Sequence, residues 1–417
     1  MTGGKPILVV GGGIAGMTAA IEAAEAGAEV VLIEKSASLG GRVARTNLYF
    51  PKLCPPACGL EINYRRIRNN PRITVLTQAE LADLSGNPGN YSATISIAPR
   101  YVTKACTRCG DCAQVCPAER PDDFNYGLSK TKAAYVPHAS AFPDFYVIDR
   151  QSCPAGCQAC ADACKYNAID LGQQPSSRTV EVSAVIAATG WAPYDAAKLE
   201  GFGYGKHKNV VTNVIMERLA APDGPTSGKI VRPSDGQAPK MVVFVQCAGS
   251  RDENNLPYCS SVCCAASLKQ ASYVRSQYPD ARVAIFYIDI RTAGRLEDFY
   301  AKVSADPNIA LIKGKVAAVD EDSSTGNLVV HAEDVQRSKR ISFPADLVVL
   351  ATGIVPQTAG LPTAFTRDEF GFATNGRSGL YPAGCVRCPE EVSASVADAT
   401  GAALKALQCA VRSAHNG

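Results

Sequence analysis

Twelve of the seventeen cysteines in this 417-residue chain fall into three tight groups. The first is Cys106-x2-Cys109-x2-Cys112-x3-Cys116-Pro117. The second is Cys153-x3-Cys157-x2-Cys160-x3-Cys164, with a longer first gap and Lys165 in place of the proline. Spacers this short let successive thiolates point inward around an iron–sulfide cube, and paired runs of this kind exchange their fourth ligand. Cys106, Cys109, Cys112 and Cys164 are therefore expected on one [4Fe–4S] cluster. Cys116, Cys153, Cys157 and Cys160 are expected on a second. Structural zinc held by four thiolates is the alternative, and the altered spacing leaves open that the second cluster is lost.

The third group is Cys247, Cys259, Cys263 and Cys264. It follows the apolar strand Met241–Val245 and precedes a helix from about Ala265 to Gln277 and the strand Val283–Ile288. This is a βαβ frame whose first turn ordinarily binds phosphate through glycines. Here four cysteines replace them. The expectation is a third [4Fe–4S] cluster where a nicotinamide dinucleotide would place its pyrophosphate, with buried unmodified thiols as the alternative. Direct nicotinamide binding is then lost, and electrons reach the chain through iron–sulfur centres instead of by hydride transfer.

A glycine turn of the ordinary kind does occur at the start. Ile7–Val10 reads as a strand, Gly11-Gly12-Gly13-Ile14-Ala15-Gly16 as the turn, and an Ala-rich segment to about Ala26 as the helix, which Gly27 ends. Glu29–Glu34 is the second strand. Gly11 permits the tight turn, Gly13 lets backbone approach a pyrophosphate, and Gly16 permits close helix–sheet packing. The helix start at Ile14 and Ala15 supplies free N–H groups, and Glu34 can accept from both ribose hydroxyls.

At larger scale, the chain carries a weak internal repeat. Strand-like Ile73–Leu76 and Tyr91–Ile97 lead, after an interruption, to Val185-Ile186-Ala187-Ala188-Thr189-Gly190. Ile309–Ile312 and Leu328–Ala332 lead likewise to Leu347-Val348-Val349-Leu350-Ala351-Thr352-Gly353. The fold class is α/β, with two nucleotide-type folds. The expected division is 1–100 for the first part of an FAD-binding domain, 101–172 for an inserted domain with eight cysteines, and 173–235 for the FAD domain's continuation and a linker. A second nucleotide-type fold follows at 236–345, and 346–417 returns to the FAD domain.

Composition narrows the function. A net charge of +3 and the absence of like-charge blocks give no footprint for nucleic acid. No stretch approaches the ~18–20 apolar residues that cross a bilayer. Met1-Thr2-Gly3-Gly4-Lys5 leads directly into a strand without a signal segment, so a cytoplasmic protein is expected, tied to a membrane only through partners. Cysteine clustering rather than even pairing argues against a disulfide framework.

The doubled layout resembles the pyridine-nucleotide-disulfide reductases, with a thioredoxin-reductase-like pair of dinucleotide folds and an inserted two-cluster ferredoxin-like domain. That resemblance favours FAD over NAD. It implies flavin contacts from Lys35, Gly41 and Arg42 after the acidic residue, from Thr189, Gly190, Thr352 and Gly353, and from the return segment Gly379–Gly384. The family usually has Asp after that Ala-Gly, on the ribityl chain; this sequence has Cys385.

Pro257–Cys264 is similar to the cluster motif of heterodisulfide reductase A subunits. Tyr49–Asn63, Phe124–Ala133 and Val245–Asn254 resemble more narrowly the A subunits of quinone-interacting membrane-bound oxidoreductase (Qmo) complexes. That resemblance spans essentially the whole chain. It implies a flavoprotein partnered by a B-type flavoprotein and by a C-type membrane subunit with haem and a quinone site. Such a complex exchanges electrons between menaquinone and adenylylsulfate (APS) reductase.

Five cysteines remain. Cys54 and Cys58 lie near where glutathione-reductase-like enzymes carry a redox dithiol, but with x3 spacing and Pro55-Pro56 between them. They are read as structural thiols or, alternatively, as a redox pair. Cys385 and Cys388, an x2 pair beside the return segment, are read as buried packing or, alternatively, as redox or ligand residues; Cys409 is read as packing, and His138, His207, His331 and His415 as surface or structural. Lys35, Arg42 and Arg45 are read equally as flavin-neutralising or solvated charge. Two other functions compete with the electron relay: a heterodisulfide reductase A-like subunit of a flavin-bifurcating or sulfur-oxidation complex, and a stand-alone disulfide reductase working through Cys54 and Cys58.

Overall fold

The computed structural model describes residues 4–415. Met1–Gly3, expected to lead into the first strand, lie outside the described residues, as do 416–417.

Strand β1 (Ile7–Val10) is wholly apolar and buried on both faces, as the centre of a covered parallel sheet requires. Helix α1 (Ile14–Glu25), β2 (Val30–Glu34), α2 (Pro56–Asn69) and β3 (Ile73–Thr77) follow. β4 (Ala79–Asn87) and β5 (Asn90–Ile97) form a hairpin. After the cysteine-rich insert, β6 (Ser176–Val182) pairs antiparallel with β5, and β7 (Ala184–Ala187) returns beside β1. A short strand β8 (Trp191–Pro193) leads to the second fold, which begins with β9 (Val210–Thr212) and α3 (Asn213–Ala220). It continues through β10 (Met241–Ala248), α4 (Cys263–Gln277), β11 (Arg282–Tyr287), α5 (Leu296–Ser304) and β12 (Ile309–Lys313). The antiparallel meander β13 (Val316–Glu321), β14 (Leu328–Asp334) and β15 (Lys339–Ala345) precedes β16 (Leu347–Thr352). β17 (Ile354–Pro356), β18 (Leu380–Pro382) and α6 (Val392–His415) complete the chain.

Two five-stranded parallel sheets result, in the orders β18-β7-β1-β2-β3 and β9-β16-β10-β11-β12. The first is closed by β18, which pairs with β7 far from it in sequence. Small residues let α6 lie close on α1: Ala19, Ala20 and Ala23 share one core with Ala399, Ala402, Ala403 and Ala406. The repeat read from the sequence corresponds to the two sheets and their two meanders.

The division between the folds differs from the expectation. Val210–Thr212 and Leu347–Thr352 both belong to the second sheet, where β16 runs between β9 and β10. A three-residue strand carries too little pattern to reveal its partner, and β16 is as apolar as any strand of the first sheet. The return to the first fold therefore begins after Thr352.

The insert emerges between β5 and β6. Its core is small: Val102, Ala118, Ala133, Ala134 and Ile148 packed with Cys112, Cys116 and Cys160. Arg100 roots it, donating to the carbonyls of Ala37, Phe145 and Tyr146. Burial pushes that guanidinium down to about 10, so its hydrogen bonds hold a charge that water no longer solvates.

Three joints tie the parts together. β8 and β17 form an antiparallel ribbon, Trp191 opposite Pro356. Arg218 on α3 is 0% exposed and donates to Asn125 of the insert and to Asp223. Glu217 and Lys269 form a buried ion pair at 3.1 Å. Glu217 also accepts from the Asn47 amide at 2.9 Å, and the Lys269 ammonium donates to the Leu48 carbonyl at 2.5 Å.

Candidate functional site

The cradle for a dinucleotide is built from backbone. Gly11 has φ +107, and a Cβ there would stand 2.3 Å from the Ala188 carbonyl oxygen. A Cβ on Gly16 would stand 1.8 Å from the Gly11 carbonyl. Only glycine permits this approach of helix to strand. Gly13 precedes α1, and Gly41 faces it so closely that a Cβ on Gly41 would meet the Gly13 Cα at 2.9 Å. Glu34 sits at the turn, accepting the Gly12 N–H at 2.6 Å and the Ser36 N–H at 2.7 Å. A slot walled by glycine, opening on a helix N-terminus with a carboxylate at its side, fits the adenosine diphosphate half of FAD.

The other expected flavin residues divide. Gly384 has φ +74 and lies against Ala15, where a Cβ would stand 2.8 Å from the Ala15 side chain. The return segment thus reaches the glycine turn. Thr189 donates to the Gln357 carbonyl, and Gly190 accepts from the Gln357 amide, so this turn borders the joining ribbon. Lys35 points to solvent, 77% exposed and paired with Glu80. Arg42 donates to the Trp191 carbonyl and the Tyr126 hydroxyl, bracing the insert. Arg45 donates to the Asp123 carbonyl and lies over the Phe124 and Tyr126 rings.

Thr352 and Gly353, expected beside the flavin, sit at the third cysteine group. A Cβ on Gly353 would collide with Ser250 and Ser260, and the Cys263 thiol lies 3.8 Å from the Thr352 carbonyl. The reason is the strand exchange described above: β16 ends in the second sheet.

Cys385 is buried, its thiol 3.3 Å from the Glu390 carbonyl. Asp398 of α6 occupies the corner where the sequence lacks its acid. It accepts from the Gly384 amide at 2.8 Å and from Arg387 at 3.0 Å. No local sequence signal marks Asp398, since only folding of α6 brings it there.

The cysteines of the insert gather into two sets. Cys106, Cys109, Cys112 and Cys164 line one small cavity. Cys153, Cys116 and Cys160 interact electrostatically, and Cys157 neighbours Cys153. Cys164 thus stands with the first three cysteines of the first run, and Cys116 beside Cys153 and Cys160. Burial pushes the Cys112 thiol up to about 12 and raises Cys153 and Cys160.

In the second fold, Cys247, Cys259, Cys263 and Cys264 form one mutually interacting set. Burial raises Cys263 and Cys264 and pushes Cys247 up to about 11. Arg251 lies beside Cys247 and Arg291 beside Cys259. The two arginines share Asp289, at 2.5 and 3.4 Å. Cys247, Arg251 and Ser261 all take positive φ, a concentration of backbone strain that marks functional sites. Among the described residues no three such side chains converge on the scale of a single metal ion. Four clustered thiols, two of them buried, beside two guanidiniums suit a multinuclear centre that displaces their protons.

Cys54 and Cys58 both neighbour the Tyr49 ring at the start of α2, Cys54 half-buried and Cys58 exposed. Sequence reasoning missed the knot around Phe124: His138 stacks on it at 4.7 Å and Arg218 covers it at 4.6 Å.

Residues 6–59 match the family of FAD dependent oxidoreductases. The chain is 38% identical over 418 residues to an iron–sulfur A subunit of the CoB–CoM heterodisulfide reductase of Methanopyrus kandleri, covering 96% of this chain and 63% of that protein. It is 37% identical to the A subunit of the ferredoxin/F420H2-dependent CoB–CoM heterodisulfide reductase of Methanosarcina acetivorans, covering 97% and 53%.

The chain is similar to heterodisulfide reductase A subunits over nearly its whole length. It spans between about half and two thirds of the length of these relatives. Thioredoxin reductases of T. acidophilum and Lactococcus lactis share the fold, with TM-scores of 0.54 and 0.55 at 15% and 13% identity. Each match covers 98% of this chain and 99% of the other. Among the described residues no helix of the chain is long and apolar enough to cross a membrane.

Proposed function

We propose that this chain is the FAD and iron–sulfur electron-transfer subunit of a multi-subunit oxidoreductase, carrying three [4Fe–4S] clusters. The observation that carries the reading is the third cysteine set, which occupies the turn where the second fold would hold a nicotinamide dinucleotide. Bound flavin supplies exchange between two-electron and one-electron chemistry, and the clusters supply one-electron steps.

The chain's own residues set the conditions for that chemistry. The glycine turn and Glu34 hold the adenosine end, and Gly384, fixed by Asp398, closes the cradle from the return segment. Cys106, Cys109, Cys112 and Cys164 hold one cluster, Cys116, Cys153, Cys157 and Cys160 the second, and Cys247, Cys259, Cys263 and Cys264 the third. Arg251 and Arg291 favour thiolate at the third set. The β8–β17 ribbon joins the flavin turn at Thr189–Gly190 to the third set at Thr352–Gly353, giving a short covalent and hydrogen-bonded link between the two.

The finer reading is a Qmo-type A subunit, supported by the segments Tyr49–Asn63 and Phe124–Ala133. Its partners are a B-type flavoprotein and a C-type membrane haem and quinone subunit, with APS reductase as electron partner and the cytoplasmic membrane face as location. A second reading, favoured by the names of the relatives, is a heterodisulfide reductase A-like subunit of a bifurcating or sulfur-oxidation complex. Affinity isolation of the native complex under nitrogen, with flavin, iron and haem quantified, tests both. Haem and a quinone-reactive subunit in the product support the Qmo type. A product with flavin and iron but no haem supports the second reading. NADH binding by an iron-free second fold overturns both.

A further inference from the structure

The insert surrounds its two cysteine sets with opposite charge. Arg150, half-buried, stands just before the second run. Its Nη1 donates to the Cys157 carbonyl at 2.8 Å, and its own carbonyl accepts from the Cys153 amide at 3.2 Å. The guanidinium also lies beside the Cys153 thiol, which burial raises and Arg150 pulls back down. Asp149, next to it in sequence, is taken by Arg120 at 2.9 Å and by the Ser152 hydroxyl at 2.8 Å. Among the described residues no carboxylate pairs with Arg150, so its charge falls on the cysteines.

The first set has the reverse. Asp111 lines the cavity shared by Cys106, Cys109, Cys112 and Cys164. Its carboxylate meets Lys165 at 3.3 Å, but that side chain is 81% exposed and its charge is largely screened by water. Arg108 is turned away, onto Asp144 and the Ala139 carbonyl.

Reduction adds one negative charge to a thiolate-bound cube, and net charge, hydrogen bonds and solvent decide how readily it is accepted. A guanidinium favours the added charge and a carboxylate opposes it. Exposed Cys109 lets water ease that charge at the first set. A fixed cation in contact with the second set outweighs this, because little solvent lies between them.

We propose that Arg150 and Asp111 set the two insert clusters at different potentials, with the cluster of Cys116, Cys153, Cys157 and Cys160 above that of Cys106, Cys109, Cys112 and Cys164. This rests on the two-cluster reading of the insert and adds which of the pair holds an electron more tightly, and through which side chains. Both are positioning residues, since neither is a ligand.

Redox titration of the intact anaerobic holoprotein, followed by electron paramagnetic resonance with iron counted in every sample, tests it. The two insert clusters are expected to reduce in separate one-electron steps. Arg150→Gln should lower the upper step about tenfold in its equilibrium constant, or ~59 mV. Arg150→Lys, which keeps the charge, should hold most of the original value. Asp111→Asn should raise the lower step and leave the upper one in place. Asp111 is partly open to solvent, so this variant decides the matter where Arg150→Gln loses iron. Unshifted steps in fully loaded Arg150→Gln overturn the proposal, as does an unmoved lower step in Asp111→Asn. Movement of one and the same step by both variants also overturns it. Iron far below about twelve atoms per chain in the unaltered protein defeats the three-cluster reading itself, and the proposal with it.

Discussion

Cys263 is the most deeply buried thiol of its set and opens helix α4. With three other cysteines around it, removal of this one side chain should release a whole cluster. Cys263→Ala is expected to lower iron by about four atoms per chain while FAD is retained, as read by iron and flavin analysis of anaerobically purified protein. His138 offers a different residue-scale test. Burial holds it down to about 4, whereas an unfolded histidine titrates near ~6.5. The folded chain therefore keeps it neutral. Its contribution is complete above about pH 6.5 and is lost as the pH falls toward 4, because the unfolded chain takes up the proton first. Stability should drop by about 1.4 kcal/mol between pH 7.5 and 5.5 from this group alone. His138→Phe, which keeps the stack on Phe124, should abolish that share in urea titrations. Residues of this scale were legible where chemistry needs neighbours in sequence, as at Gly11–Gly16 and in the three cysteine groups. Asp398 and Arg218 were not, because each acts on a segment brought to it only by tertiary folding.

At the scale of elements, the clasp between α3 and α4 shows what periodicity cannot report. Glu217 and Lys269 are apolar-face positions by burial, yet they carry opposite charges and anchor Asn47 and Leu48 of the first fold. A half-broken buried pair leaves an uncompensated charge, at about 3–5 kcal/mol. Lys269→Met should therefore destabilise the protein by that order in chemical denaturation, and hydrogen exchange should rise first at residues 47–58. Joint replacement of both partners by apolar residues should recover most of the loss. The parallel sheets and meanders were readable from short apolar runs bounded by turns. The assignment of β9 and β16 was not, since strand order is a property of pairing and both candidate sheets accept the same apolar strand.

At the scale of the molecule, the two folds and the insert differ in how they are held. Each fold has a large apolar core on both faces of its sheet. The insert has one small apolar cluster and eight cysteines, and domains with so little to bury depend on metal. Iron chelation should leave the first fold able to retain FAD while residues 101–172 become cleavable by protease, as followed by mass spectrometry of the fragments. Simultaneous loss of flavin and of all protease resistance would contradict this division of support.

The late arrival of β18 at the first sheet carries a consequence for biogenesis. While the chain leaves the ribosome, β7 presents an unpaired edge of apolar residues until more than 190 further residues have been made. Gly384 and α6 arrive later still, so the cradle cannot grip its ligand co-translationally in finished form. Flavin capture then waits on β18 and α6, and chains short of flavin would hold a finished second fold beside a first one with an open edge.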